Sequence, residues 1–235
     1  MSGSDNPFLL ALGLIASFDG DLGAIVGLSL AVSFSAVALG SVVGLPLGAA
    51  VAMLGFPGRR LAVVTLNAFM GLPPVVIGLV CYLVLSRSGP LGGLGFLFTP
   101  SAMIIAQWIL VTPIIAAIAR QIVEDLWLDY REQLISLGAT PLRAIPTLLI
   151  DARHSLATAV LAGFGRASAE VGAVMIVGGN IEHETRVMTT TIVLETTKGN
   201  LPLALALGLV LIALSLAVNG AAHWLRDIKR AERMP

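Results

Sequence analysis

The sequence predicts an all-α membrane protein of about five transmembrane helices, and three observations carry that expectation. Hydrophobic residues fill 57% of the 235 positions and charged residues only 12%, against roughly 45–50% and ~25% in soluble domains. Five apolar stretches, at residues 22–54, 61–85, 101–119, 156–177 and 201–225, each reach the ~17–25 helical residues that cross a hydrocarbon core. Lysine and arginine are also shared very unevenly between the loops that would lie on alternate sides.

The sum of charges is uninformative, because 14 Lys and Arg balance 14 Asp and Glu. No basic excess argues for nucleic acid, and none is expected as a partner. Cys81 is the single cysteine, which excludes an intramolecular disulfide or a cysteine-clustered metal site. It is expected to pack as a small apolar residue.

Residues 1–21 read as an N-terminal interfacial segment. No Lys or Arg precedes Arg59, so the basic region of a secretory leader is missing and no cleaved leader is expected. Residues 8–18 are apolar but too short to span, which suits an interfacial helix or a partial span. The first span would be about 50 Å long as one helix, so it must tilt, protrude or break near Pro46. Gly40, Gly44 and Gly48 lie one turn apart and allow close helix contact. Ordinary packing is the preferred reading over a dimer seam.

The second span contains Leu72-Pro73-Pro74-Val75. Two prolines remove backbone donors and must kink or open the helix. Pro73 and Pro74 therefore mark either a harmless kink or a wall of a pathway. A glycine-rich stretch at 86–98 reads as a loop. If the loop holding Arg59 and Arg60 is cytoplasmic, that side also gathers Arg120, Arg131, Arg143, Arg153, Arg226, Lys229, Arg230 and Arg233. The other side has Arg87, Arg186 and Lys198. The positive-inside rule then places the N-terminus outside and the C-terminus inside, with 226–235 as a cytoplasmic basic tail following a membrane domain at 22–225.

Residues 120–155 form the longest polar interval, and it is patterned. Leu126, Tyr130, Leu134 and Leu137 recur at helical spacing among Glu124, Asp125, Asp129, Arg131 and Glu132. Gly138 suits a helix C′ position, and Thr140-Pro141 suits an N-cap followed by N1. Two short helices joined by a tight corner are expected. Leu142 and Ile145 would then face water, as in a docking element.

At this point a resemblance becomes specific. Glu132-Gln133-Leu134-Ile135-Ser136-Leu137-Gly138-Ala139-Thr140-Pro141 resembles the EAA loop of ABC-importer permeases, where a glycine follows the glutamate by six residues. Asp151 stands where that pattern often has proline. A second stretch, Gly163-Phe164-Gly165-Arg166-Ala167-Ser168-Ala169-Glu170-Val171-Gly172-Ala173, is similar to the helix after that loop in permeases for molybdate, tungstate and sulfate. Val174 to Asn180, Thr185 to Thr190 and Leu194 to Gly199 look most like the tungstate branch. The likeness spans nearly all of residues 20–225.

The resemblance implies a type I importer (MetI-like) fold in the cytoplasmic (inner) membrane. It implies import of an oxyanion, tungstate foremost with molybdate or sulfate as alternatives, by alternating access. It further implies two copies of the chain, a cytosolic ABC ATPase and an external substrate-binding protein. Glu132, Gly138, Ala139, Thr140, Pro141, Leu142, Arg143 and Ile145 would form the ATPase-coupling loop. No cofactor is expected on this chain, ATP being used by the partner.

The residues themselves offer a few further candidates. Arg166 falls near mid-membrane and Glu170 one helical turn beyond. A charge at that depth costs at least ~2.5–3.5 kcal/mol, so both should face the bundle interior. They form either a structural i,i+4 pair or part of an anion pathway. The outer loops carry Asp5, Asp19, Asp21, Glu182, Glu184 and Glu195 against three basic residues, a mouth mildly repulsive to anions, which leaves selection to a separate binding protein. Thr189, Thr190 and Thr191, with Thr196 and Thr197, either offer hydroxyls near that mouth or simply cap and pack.

The chain has no Gly-x-x-x-x-Gly-Lys-Ser/Thr loop for phosphate and no assembled catalytic group, so it is not expected to be an enzyme. His154, His183 and His223 lack ligand spacing. An ion-coupled secondary carrier using Glu170 remains the alternative.

Overall fold

A computed structural model describes residues 6–17 and 20–232, with side-chain surroundings as far as Trp224. Asp5, Phe18, Asp19 and the side chains of Arg226, Lys229, Arg230 and Arg233 lie outside the described residues, so the sequence expectations on them stand where they were. Among the described residues every regular element is helical. Helix α1 is Pro7–Ala16, α2 Gly20–Met53, α3 Arg59–Met70, α4 Pro74–Leu85 and α5 Pro100–Ser136. Then follow α6 Pro141–Asp151, α7 Arg153–Ser168, α8 Gly172–Gly178, α9 Met188–Lys198 and α10 Leu201–Glu232.

Among the described residues three helices, α2, α5 and α10, are long and apolar enough to cross a membrane, and the count rises to five if the broken pairs α3/α4 and α7/α8 are each one span. Helix α1 has only 10 residues, about 15 Å, and cannot cross alone. Pro46 does not break α2, nor Pro113 α5.

Three elements depart from the sequence reading. The expected first short helix of the polar interval is instead the end of α5, a helix of 37 residues. Residues 121–136 hold no Gly or Pro to stop it, and Val123, Leu126 and Trp127 bury one face. The fourth span, expected to run through residue 177, stops at Ser168 and restarts at Gly172. The threonine segment at 189–197 is helix α9 rather than a loop.

The chain divides into two compact units. The first comprises Met1–Ser35, Pro74–Gln107 and Ser168–Ala217. Within it Ala11 of α1, Leu22 and Ile25 of α2, Met188 of α9, and Ala206 and Leu207 of α10 share a core. In the same unit α4 lies directly on α8. A Cβ added at Gly78 would sit 2.8 Å from the Ala173 Cα, so only glycine lets these two backbones meet.

The second unit comprises Ala36–Pro73, Trp108–Ala167 and Val218–Pro235. Its core joins Ala49, Ala52 and Met53 of α2, Ala119, Val123, Leu126 and Trp127 of α5, Ala144 and Leu148 of α6, and Leu156 of α7. The row Gly40, Gly44, Gly48 is the α2–α5 contact. An added Cβ would lie 3.0 Å from the Thr112 carbonyl at Gly44 and would overlap the backbone of Ala116 and Arg120 at Gly48. Ordinary packing, rather than a seam between copies, uses this row.

Lipid offers no hydrophobic drive between apolar helices, so close van der Waals contact carries their association. Gly48→Val should therefore lower the thermal unfolding midpoint in detergent, whereas Gly27→Ala, with nothing within 4 Å of the added Cβ, should leave it unchanged or raise it slightly. Equal midpoints for the two variants would contradict the assigned contact.

Candidate functional site

The polar corner is built by one glycine. Helix α5 ends with the Gly138 N–H donating to the Ile135 carbonyl at 2.9 Å and the Ala139 N–H to the Leu134 carbonyl at 2.9 Å. This double bond pattern needs a left-handed residue at C′, and Gly138 supplies it with φ +81. Open space surrounds the position where a side chain would project, so backbone conformation alone, not crowding, demands glycine here. Thr140 is extended (φ −80, ψ 153) and Pro141 starts α6. The Thr140 carbonyl accepts the Ala144 N–H at 3.0 Å, while its side chain makes no capping bond.

Apart from Glu132 and Ile145, the expected coupling residues are contiguous, and most face outward. Glu132, Gly138, Thr140, Pro141, Leu142 and Arg143 are exposed, and Ala139 is half-buried. Leu137 is 83% and Leu142 65% exposed, a large apolar surface for so short a segment. Ile145 departs from the expectation: it is half-buried and packs against the core that joins α6 to α2, α5 and α7, beside Ala144 and Leu148. The period of α6 puts 144, 145 and 148 on one face, so Ile145 anchors the helix instead of presenting it.

A three-residue clamp in the same unit was missed by the sequence reading. Arg59, at the start of α3, donates from Nε to the Val51 carbonyl at 2.8 Å and from Nη2 to the Ala52 carbonyl at 2.9 Å. These are orphan acceptors of the last turn of α2. The same Nη2 lies 2.7 Å from Glu124 Oε1, and Glu124 Oε2 pairs with Arg120. The Arg120/Glu124 spacing was readable as an i,i+4 pair. The Arg59 contact, 65 residues away, carries no local signal. A cleft of about 410 Å³ opens beside the clamp, lined by Arg59, Glu124, Trp127, Arg131, Ile135 and Pro141 among others.

In the first unit, Glu170 falls in the break between α7 and α8 and is 4% exposed. Its Oε1 accepts the Ala173 N–H at 3.2 Å, and its carbonyl accepts the Thr189 hydroxyl at 2.7 Å. Arg166 lies in the last turn of α7, so Arg166 and Glu170 do not share one continuous helix.

Thr190 donates to Asn180 Oδ1 at 2.9 Å, and Thr191 donates to the Val187 carbonyl at 2.7 Å. Thr189, Thr190 and Thr191 are all buried, which favours their capping and packing role. Pro73 is exposed between α3 and α4, and half-buried Pro74 opens α4.

A second cavity, of about 340 Å³, is lined by Asp21, Glu182, Glu184 and Glu195 against Arg186 and Lys198, with His183 beside them. Carboxylates outnumber the cations, a poor trap for an anion. Glu195 is nonetheless well partnered: Lys198 Nζ donates to Oε1 at 2.9 Å and Asn200 Nδ2 to Oε2 at 2.8 Å. The hydrogen bond from Lys198, followed by that from Asn200, holds the Glu195 carboxyl below the usual carboxylate range.

Two outcomes are expected from these contacts. A depressed carboxylate contributes stability that is present above its unfolded pKa and lost as pH falls through its folded pKa. Acidification below about pH 4.5 should therefore destabilise the wild type more than Glu195→Gln, read as the slope of unfolding midpoint against pH. Glu124→Gln should lower stability by about 1 kcal/mol, because two partly exposed arginines lose a charged partner. A midpoint unchanged by Glu124→Gln would show that the clamp contributes nothing.

The family described as "Binding-protein-dependent transport system inner membrane component" matches residues 44–228. A Haloferax volcanii protein named "Probable anion ABC transporter permease protein" is 43% identical over 208 residues, covering 86% of this chain and 90% of its own length. The "Tungstate uptake system permease protein TupB" of Peptoclostridium acidaminophilum is 40% identical, with 94% of this chain and 96% of the relative covered. The protein of that name from Campylobacter jejuni is 37% identical over 73% of this chain and 72% of its own. A multi-pass helical chain with this corner, matched over residues 44–228, belongs to the family of binding-protein-dependent transport system inner membrane components, permease subunits of ABC importers whose ATP is hydrolysed by a separate subunit.

Proposed function

We propose that this chain is the permease through which an ATP-driven importer moves an oxyanion, with tungstate as the cargo ahead of molybdate or sulfate. Likeness at 40% and 37% identity to two permeases named for tungstate uptake carries the choice of cargo. The corner carries the mechanism. Leu137, Leu142 and Arg143 project outward from a turn whose inner side, through Ala144, Ile145 and Leu148, is packed into the core of its unit. A grip on the outer side therefore moves helices rather than a slack loop.

In this reading a cytosolic ATPase grips the 120–155 segment around Glu132, Gly138, Ala139, Thr140, Pro141, Leu142 and Arg143, an EAA-type coupling loop. Closure of the ATPase pair tilts the helices and switches the opening between sides. Arg59, Arg60, Arg120, Arg131, Arg143 and Arg153 then face the cytoplasm, as the positive-inside rule favours, with the N-terminus outside. Two copies line the path, each with its own ATPase, and an external binding protein supplies the selection that the carboxylate-rich cavity cannot. Pro73 and Pro74 serve the path as the break that frees α4 from α3.

The secondary-carrier reading has less support, because the Glu170 carboxylate is occupied as an acceptor for the Ala173 N–H.

Reconstituted with its ATPase and binding protein, the chain should take up tungstate only with ATP, and excess sulfate should compete poorly. Uptake driven by a proton gradient without ATP would overturn the proposal. Gly138→Asp should abolish ATP-coupled uptake while leaving membrane insertion intact, since its φ of +81 strains any side-chain-bearing residue and adds a charge at the grip. Wild-type uptake by that variant would remove the coupling assignment.

A further inference from the structure

A helix broken inside a membrane protein leaves amide and carbonyl groups that lipid cannot satisfy. At the break at 169–171, Glu170 meets part of this problem. Helix α8 has only seven residues, and its N-cap, Val171, makes no side-chain capping bond. Glu170, one position earlier, reaches forward instead, its Oε1 accepting the Ala173 N–H in the first turn of α8. Its own carbonyl accepts the Thr189 hydroxyl from α9. Both residues are buried, so neither bond is readily exchanged for one to water.

Ala173 matters on its other side as well. It is the residue against which Gly78 of α4 closes, at 2.8 Å from an added Cβ to the Ala173 Cα and 3.2 Å to the Ala173 carbonyl. Gly172 beside it faces Val75 in the first turn of α4, with an added Cβ 2.8 Å from Val75 Cγ2. The amide held by Glu170 therefore belongs to a residue at a close approach between α8 and α4. A shift of α8 by a fraction of an ångström would be resisted by backbone rather than by a pliant side chain.

We propose that Glu170 is a positioning residue for transport, whose carboxylate and carbonyl fasten the N-terminus of α8 to α9 and so keep α4, α8 and α9 moving as one block. The proposal rests on the permease reading above. What it requires of residue 170 is an acceptor in the right place, not a proton carried across the membrane. Glutamine supplies that acceptor, alanine does not, and a carrier glutamate could not be replaced by either.

The test uses the complete importer, permease with its ATPase and binding protein, in proteoliposomes, reading oxyanion uptake per ATP hydrolysed. Glu170→Ala should lower this ratio about 10-fold or more, in keeping with an unsatisfied buried donor. Glu170→Gln should stay within about 3-fold of wild type. Thr189→Val removes the second fastening and should lower the ratio, and Thr189→Ser should restore it.

A wild-type ratio in Glu170→Ala, or equal loss in Glu170→Gln and Glu170→Ala, overturns the proposal. Should Glu170→Ala fail to assemble, the Thr189→Val and Thr189→Ser pair decides, a ratio unchanged by valine overturning it. A wild-type complex that moves no oxyanion sinks the functional reading instead. The fastening is then judged by unfolding midpoints, which Glu170→Ala must lower and Glu170→Gln must not.

Discussion

Satisfying backbone polar groups without water is the constraint on which the rest of this structure depends. Long helices meet it almost entirely internally, and α2 and α5 continue past Pro46 and Pro113 at the loss of one ladder bond each. The two broken spans meet it by different chemistry. At Pro73 and Pro74 the amide hydrogens are simply absent, so the first residues of the restart hold fewer donors to satisfy. At Glu170 the amides are present, and a side-chain carboxylate is brought to one of them. The first solution needs only imino acids and can sit at an exposed position. The second places a carboxylate in a buried site, tolerable only where its acceptors are used.

Association within each unit follows from the same solvent. Because lipid tails are as apolar as leucine, helices gain little by hiding leucine and much by approaching closely. Gly44, Gly48 and Gly163 bring α2 and α7 onto α5, and Gly78 brings α4 onto α8. Large side chains such as Val42, Leu61, Leu79 and Leu216 stay exposed. In a soluble protein that pattern would mark an aggregation liability. Facing lipid, it is the ordinary outer surface.

What was legible in the sequence was what is local. Span positions follow from runs of apolar residues, and the corner follows from Gly138, Thr140 and Pro141, whose backbone preferences act without distant partners. The length of α5 is hidden because the apolar run ends at Ala119 and the charged residues Glu124, Asp125 and Asp129 that follow make the next helical stretch look separate. Their helix persists because Val123, Leu126 and Trp127 bury the opposite face. The break at 169–171 was missed because no proline marks it, and its cause lies in Thr189 and Ala173, seen only once folded. Arg59 was read as a loop charge for orientation, yet it also ties the end of α2 to Glu124. Ile145, expected outward with Leu142 as part of a docking element, is turned inward by the α6 period it shares with Ala144 and Leu148.

A lever of the kind proposed above must be stiff where it is gripped, and three separate features stiffen this corner. The left-handed Gly138 closes α5 with two backbone bonds, which fixes the direction in which α6 departs. The inner face of α6 then shares a core with α2, α5 and α7, so that direction cannot relax by rolling. Beneath it, Arg59 joins the last carbonyls of α2 to Glu124, and Glu124 to Arg120. Charged contacts of this kind are worth little where water competes, but here they link three helices in one place. The apolar surface at Leu137 and Leu142 would be a net loss on an unpartnered corner. On a stiff one it suits the proposed grip, since work done on those side chains would pass to packed helices instead of being spent on bending the turn.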